Sequence, residues 1–145
     1  MKRLAGFLLL AGGCVLPVQA VEYLTVETAT VLYDAPSQKG SRLFVVRPGT
    51  PVELVVALEG WAKVRDAEGG LAWIERKQLS NRRTLIVTAE RAQVRQAADE
   101  AAPLAFEAET RVSLDYLETL PGGWLKVRHR DGQNGFVRAG QVWGH

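Results

Sequence analysis

Few residues in this chain are equipped for chemistry. There are two histidines, His129 within Arg128-His129-Arg130-Asp131 and His145 at the last position, and a single cysteine, Cys14. A hydrolase needs a nucleophile with a base, or a metal held by several close ligands. Ser113, His129 and Asp131 supply the residue types of a triad, yet Asp131 follows His129 by two positions and precedes Gly132. That spacing reads as a solvated charge pair in a turn. His129, Asp131 and His145 also fall short of the four close ligands of a structural zinc site. No catalytic residue, metal or other cofactor is expected, and the chain is not read as an enzyme.

Aromatic surface is the stronger signal. Trp61 and Trp73 flank a polar connection in Trp61-Ala62-Lys63-Val64-Arg65, Asp66 to Gly70, Leu71-Ala72-Trp73-Ile74. Short β-prone runs around a Gly-containing turn predict a hairpin. Strand side chains alternate between faces, so Val64 and Ile74 into the core puts Trp61 and Trp73 away from it. Such a pair suits cross-strand aromatic contact. Tyr33, before the loop Asp34 to Gly40, adds a third ring. Tyr33, Trp61 and Trp73 are the candidate walls of a ligand-binding groove, with Asp34 and Lys63 as its polar contacts. The competing reading is that the rings cover a barrel end or the partner module.

The elements that must position these residues occur twice. Trp124-Leu125-Lys126-Val127-Arg128, His129 to Asn134, and Gly135-Phe136-Val137 repeat the hairpin at a constant offset of 63. Repeats near this period indicate two modules of one kind. Tyr23 to Val26, Ala29 to Tyr33, Leu43 to Val46 and Pro51 to Leu58 read as strands, and Glu75 to Leu79 as one helical turn. In the second copy Thr84 to Val87 mirrors Tyr23, and Ala92 to Arg95 matches the strand around Val31 at offset 63. Thr50/Thr110 through Leu54/Leu114 aligns at 60, which implies a shorter Gln96 to Ala102 loop and three added residues before Trp124. Ser80 to Thr84 joins the copies without Gly or Pro, so it is no flexible tether and the modules should pack together. Trp143 is available for their interface.

Short strands without helical periodicity argue for small β-barrels. The carriers Ala35-Pro36-Ser37, Gly49-Thr50, Gly60 to Asp66 and Trp73-Ile74 resemble those of bacterial SH3-like domains. The junction Ser80 to Val87 is similar to the linker of an exported tandem family of unknown function. The resemblance implies an all-β fold of two packed five-stranded SH3-like barrels, 22–79 and 83–143. It also implies a non-catalytic binding module for cell-wall peptidoglycan peptide or glycan. The alternative is a protein–protein interaction module that docks another envelope protein. The second copy departs from the pattern, with Ala97 to Ala102 in place of the Pro-Ser loop and Phe136 in place of Trp.

The N-terminus bears on the compartment. Lys2-Arg3, the apolar run Leu4 to Leu10 and Val18-Gln19-Ala20 read as a secretory signal peptide over 1–20, cleaved after Ala20. The apolar run is shorter than the roughly 20 residues of a membrane span. Ala11-Gly12-Gly13-Cys14 offers a second reading, a lipoprotein box with Cys14 lipidated, although Ala11 stands where a large aliphatic residue is usual. Export predicts a periplasmic or cell-envelope protein, a monomer without a membrane span. Without 1–20 the charge is (18 − 2) − 16 = 0, so there is no electrostatic argument for nucleic acid. The basic clusters Arg82-Arg83 and Arg128-His129-Arg130 read as a solvated face, or as contacts to anionic envelope polymers.

Overall fold

A computed structural model describes residues 20–145. Cys14 and all but the last residue of the expected signal peptide lie outside the described residues. The first module contains β1 (Tyr23–Val26), β2 (Thr30–Tyr33), β3 (Arg42–Val46), β4 (Pro51–Ala57), β5 (Trp61–Arg65), β6 (Leu71–Glu75) and β7 (Leu79–Ser80). The second contains β8 (Thr84–Val87), β9 (Arg91–Arg95), β10 (Leu104–Glu109), β11 (Ser113–Leu120), β12 (Trp124–Arg128), β13 (Asn134–Arg138) and β14 (Val142–Trp143). A three-residue 3-10 turn precedes the last strand of each module, Arg76–Gln78 and Ala139–Gln141. Among the described residues no helix is long and apolar enough to cross a membrane.

The chain is all-β, but strand count and closure differ from expectation. Each module is one antiparallel sheet of seven strands, ordered β3-β2-β6-β5-β4-β1-β7 and β10-β9-β13-β12-β11-β8-β14. These orders have two ends, so neither module is a closed five-stranded barrel. The extra strands arise from short pairings that no pattern reveals. The 3-10 turns return the chain so that Leu79-Ser80 and Val142-Trp143 pair with β1 and β8. A bulge between Leu54 and Val56 bends β4, which pairs with β1 along its first half and β5 along its second.

Each sheet folds over its own core. Val26, Leu32, Val52, Ala62, Val64 and Ile74 fill the first, and Leu85, Val87, Val94, Leu114, Leu125, Val127 and Val137 the second. Val64 is 1% exposed, and Ile74, Val127 and Val137 are 0% exposed, as the alternation requires. Val64→Ala or Val127→Ala should therefore cost roughly 1–3 kcal/mol, from two lost methyl groups plus the cavity left behind. Urea unfolding of the purified chain measures this, and a cost near zero would refute the face assignment.

The pairings revise the repeat register. Tyr33 pairs with Trp73 and Arg95 with Phe136, so Arg95 is the counterpart of Tyr33, at an offset of 62 rather than 63. Leu24 faces Val52 and Leu85 faces Leu114, so the counterpart of Leu114 is Val52. That offset is 114 − 52 = 62, not 60. One residue, not three, is then added before Trp124, and the loops 34–41 and 96–103 have equal length. Aligning Thr50 with Thr110 caused the error. The bonds Gly49 N to Val26 O (2.7 Å) and Arg111 N to Val87 O (2.8 Å) show that Gly49 corresponds to Arg111.

That correspondence exposes a strained residue. Gly49 has φ +82°, and Arg111, with φ +71°, is the one non-glycine residue at positive φ among the described residues. The left-handed conformation costs an L-residue about 1–2 kcal/mol, offset in part by the greater chain entropy that glycine loses on folding. Arg111→Gly should therefore stabilise the protein by about 0.5–1 kcal/mol. Its ion pair with Glu68 is long, 3.7 Å, and exposed, so removing it costs little.

The modules meet along β1, β8 and the linker between them. Thr25 and Thr84 are both 1% exposed. The Thr25 hydroxyl donates to Arg82 O at 2.5 Å and shares a 2.9 Å hydrogen bond with the Thr84 hydroxyl. Since the Thr25 proton is used on the carbonyl, Thr84 donates to Thr25. Arg83 donates to Gly144 O at 2.9 Å and lies over the Tyr23 and Tyr116 rings. Trp143 meets Tyr23 edge-on, with ring centroids 5.2 Å apart. Burial, and next the Glu53 charge, raise the Tyr23 hydroxyl above its usual pKa. A Cβ at Gly144 would lie 2.9 Å from Thr84 O and 3.2 Å from the Pro51 side chain, so this junction admits only glycine.

Candidate functional site

Four of the five expected site residues share one face of the first module. β5 and β6 pair so that Lys63 faces Trp73 and Trp61 faces Glu75, while β2 brings Tyr33 opposite Trp73. Tyr33 meets Trp61 edge-on, with ring centroids 5.6 Å apart at 84°. Tyr33 is 8% exposed, whereas Trp61, Lys63 and Trp73 are half-buried. Tyr33 is thus the floor of the cluster rather than a wall. Among the described residues, Trp61 and Trp73 take no part in the hydrogen bonds, ion pairs or ring contacts that join the modules.

Asp34 plays a different part. It is exposed, and its Oδ1 accepts the Ser41 backbone N–H at 2.8 Å, closing the loop that follows Tyr33. This bond holds the loop shape, so Asp34 positions the loop. The loop is tied to the sheet at its far side. Gln38 Nε2 donates to Glu75 Oε1 at 2.8 Å, and Lys77 lies 3.1 Å from the same carboxylate. The Gln38 bond, and then Lys77, hold the Glu75 carboxyl below its usual range. A lowered folded-state pKa means that the tie is intact at neutral pH and loosens only as pH falls through that lowered value.

The second module builds the same frame and closes it. Loop bonds recur at offset 62. Asp34 N to Ser41 O becomes Gln96 N to Pro103 O, and Gly40 N to Ser37 O becomes Ala102 N to Asp99 O. Ser37 Oγ and Asp99 Oδ1 each accept the N–H two residues on, because either side chain can template the turn. Glu100 and Arg138 take the places of Gln38 and Glu75, joined at 2.6 Å. The Arg138 guanidinium lies 4.2 Å from the centroid of Trp124, the counterpart of Trp61. Trp124 is only 5% exposed, and Arg95 replaces Tyr33. Trp124 is thus covered by the module's own arginine, while Phe136, the counterpart of Trp73, is half-buried.

A second concavity opens between the modules. A cleft of about 430 Å³ is lined by the Arg47-to-Thr50 turn, Arg82, Thr84, the segment Arg111 to Asp115, and His129-Arg130. Its Ser113 and His129 are two members of the triad considered above. His129 Nδ1 lies 3.1 Å from Asp131 Oδ1, but no hydrogen bond joins Ser113 to the ring among the described residues. Asp131 is held below its usual pKa chiefly by the Gln133 N–H at 2.9 Å, with His129 contributing less. The pair is thus part of a turn. His129 occupies the hairpin position of Asp66, whose Oδ1 accepts the N–H groups of Glu68 and Gly70. Sequence reading missed that Arg47 and Arg111 line this cleft. The available signal was an arginine at the repeat position of a turn glycine, hidden by the register error.

Comparison with known proteins agrees with this architecture. A family model described as bacterial SH3 domain matches residues 26–81 and 88–144. No curated protein matches the sequence. Among solved structures, NlpC2 from Trichomonas vaginalis is similar at 15% identity and a TM-score of 0.40, covering 88% of this chain and 49% of its own. An NlpC/P60 family protein from Bacillus cereus ATCC 10987 is similar at 16% identity and 0.39, covering 84% and 56%. The chain thus spans about half the length of these structures. With two matched regions that together cover most of its length, the chain belongs to the bacterial SH3 domain family, as a tandem pair.

Proposed function

We propose that the protein is a non-catalytic, exported binding module whose first domain holds cell-wall peptidoglycan, by its peptide or glycan, on the face formed by Trp61, Lys63 and Trp73 over Tyr33. Bacterial SH3 domains are usually extracellular or cell-wall associated and typically non-catalytic. The observation that carries the reading is the asymmetry between the modules. The rings of the first remain half-exposed, while Arg138 seals Trp124 in the second. Half-exposed aromatics bury large area at little entropic cost when a ligand arrives. Lys63, between the rings, supplies a cation for a peptide carboxylate. Co-sedimentation of the chain lacking residues 1–20 with purified peptidoglycan sacculi tests this. Retention in the pellet is expected, and none at high sacculus concentration would refute it.

Docking of another envelope protein is a second reading, favoured by β3. This is an edge strand with Leu43, Phe44 and Val45 exposed by 47%, 47% and 66%. Its counterpart β10 places Glu107, paired with Arg91 at 3.5 Å, where β3 has Val45. A charge of this kind guards an edge against pairing, and β3 has none at that position, its one charge being Arg42 at the strand start. An extended segment added to that edge is the expected mode. Replacing Val45 by lysine should abolish such docking and leave sacculus binding intact.

A further inference from the structure

We propose that the cleft between the modules is a binding site for a phosphate-ester group carried on a small polar body of sugar or glycerol size. Four arginines line it from four separate segments: Arg47 from the turn before β4, Arg82 from the linker, Arg111 from the turn before β11, and Arg130 from the β12–β13 turn. Its one lining carboxylate, Asp115, is already engaged by Arg82 at 3.2 Å and by Arg128 at 3.4 Å. Among the described residues Arg47 and Arg130 have no carboxylate within 4 Å, and Arg111 has only the long contact to Glu68. The cleft thus concentrates positive charge in a chain whose net charge without residues 1–20 is (18 − 2) − 16 = 0.

Strain at Arg111 is an independent observation. Gly49, on the facing turn, is the unstrained solution to the same backbone position, yet the second module holds an arginine there at φ +71°. An outlier that the fold itself shows how to avoid points to function. The strained residue is also one of the four cations of the cleft.

The chemistry selects the ligand. A carboxylate has two oxygens in one plane, and a single guanidinium fork satisfies it. Arg47, Arg111 and Arg130 line the cleft from separate segments, with Arg82 held beside them by Asp115 and Glu27 at 3.2 and 3.8 Å, and cations drawn from several directions match a tetrahedral phosphate, with more oxygens and up to two charges. The volume exceeds what a bare phosphate would fill and falls in the range of small-molecule sites, roughly 300–1,000 Å³. The Thr50 and Ser113 segments complete the lining, and their hydroxyls suit the hydroxyls of an attached sugar or glycerol. This surface is separate from the Trp61–Trp73 face, so it stands or falls independently of peptidoglycan binding.

Titration of the isotope-labelled chain with glycerol 3-phosphate, followed by amide resonances, tests the proposal. Saturable shifts are expected at Gly49, Thr50, Ser113 and Arg130, with malonate at least about 10-fold weaker. The variant R111G/R130A should bind glycerol 3-phosphate at least about 10-fold more weakly. Arg111→Gly alone should raise the unfolding midpoint, so lost binding is not lost folding. Sedimentation with phosphatidylglycerol vesicles separates the sources. Binding to both probes identifies a lipid headgroup, binding to glycerol 3-phosphate alone a soluble ester, and either supports the site. Unchanged affinity in R111G/R130A, or equal affinity for malonate, would overturn it. Sacculus retention by the same variant should be unaffected, and parallel loss would overturn a separate cleft.

Discussion

Replacing Trp61 and Trp73 together by alanine is expected to abolish retention by purified sacculi while leaving the far-ultraviolet circular dichroism unchanged. Aromatic anchors at the centre of a binding surface each contribute on the order of 2 kcal/mol or more when truncated. Losing two should reduce affinity by on the order of 100-fold or more. Stability should suffer less than a core substitution would cause. Both rings stand outside the core cluster and are half-buried, so each replacement forfeits only part of an indole, on the order of 1–2 kcal/mol. The matched control is Trp124→Ala. Trp124 is covered by Arg138 and 5% exposed, so its loss should destabilise the second module and leave sacculus affinity unchanged. If Trp124→Ala abolishes retention and the double variant does not, the site is on the wrong module.

The hairpins were legible because alternation and a Gly-containing turn are local. Val64, Ile74, Val127 and Val137 could be assigned inward from period alone, and all four are buried. Trp61, Lys63 and Trp73 followed by exclusion on the opposite face. What escaped reading depends on contacts distant in sequence. β7 and β14 are two residues each, and only the strands opposite them make them strands. The loop-closing bond from the Ser41 N–H to Asp34 was not legible, because an exposed acid beside an aromatic is ambiguous in sequence. The second-module loop seemed unrelated because Asp99 replaces Ser37, although both accept the same turn bond. Arg111 was lost to an alignment on the wrong threonine. Residue identity conceals a left-handed position when the occupant is not glycine.

Leu85→Ala should be among the most destabilising single substitutions, costing about 3–5 kcal/mol by the usual range for a buried leucine and the cavity it leaves. Leu85 is 0% exposed and packs with Val87, Leu114, Leu125 and Val142. Its strand, β8, lies between β11 and β14, so the backbone is held on both sides and cannot easily shift to fill the void. The neighbouring residue, Thr84, carries the buried hydroxyl bond to Thr25 of the first module. A cavity beneath Leu85 therefore weakens the strand that joins the two cores. Urea unfolding followed separately by Trp124, in the second module, and by Trp73, in the first, should show both transitions moving to lower urea. The Trp124 transition should move further. Thr25→Val gives the complementary measurement, since it keeps side-chain shape, removes the donor to Arg82 O and leaves the Thr84 hydroxyl without its buried acceptor. It should cost about 1–3 kcal/mol and separate the two transitions, with little change in either core. Leu85→Ala with an unmoved Trp73 transition, together with a silent Thr25→Val, would mean that the modules fold independently and that the threonine pair couples nothing.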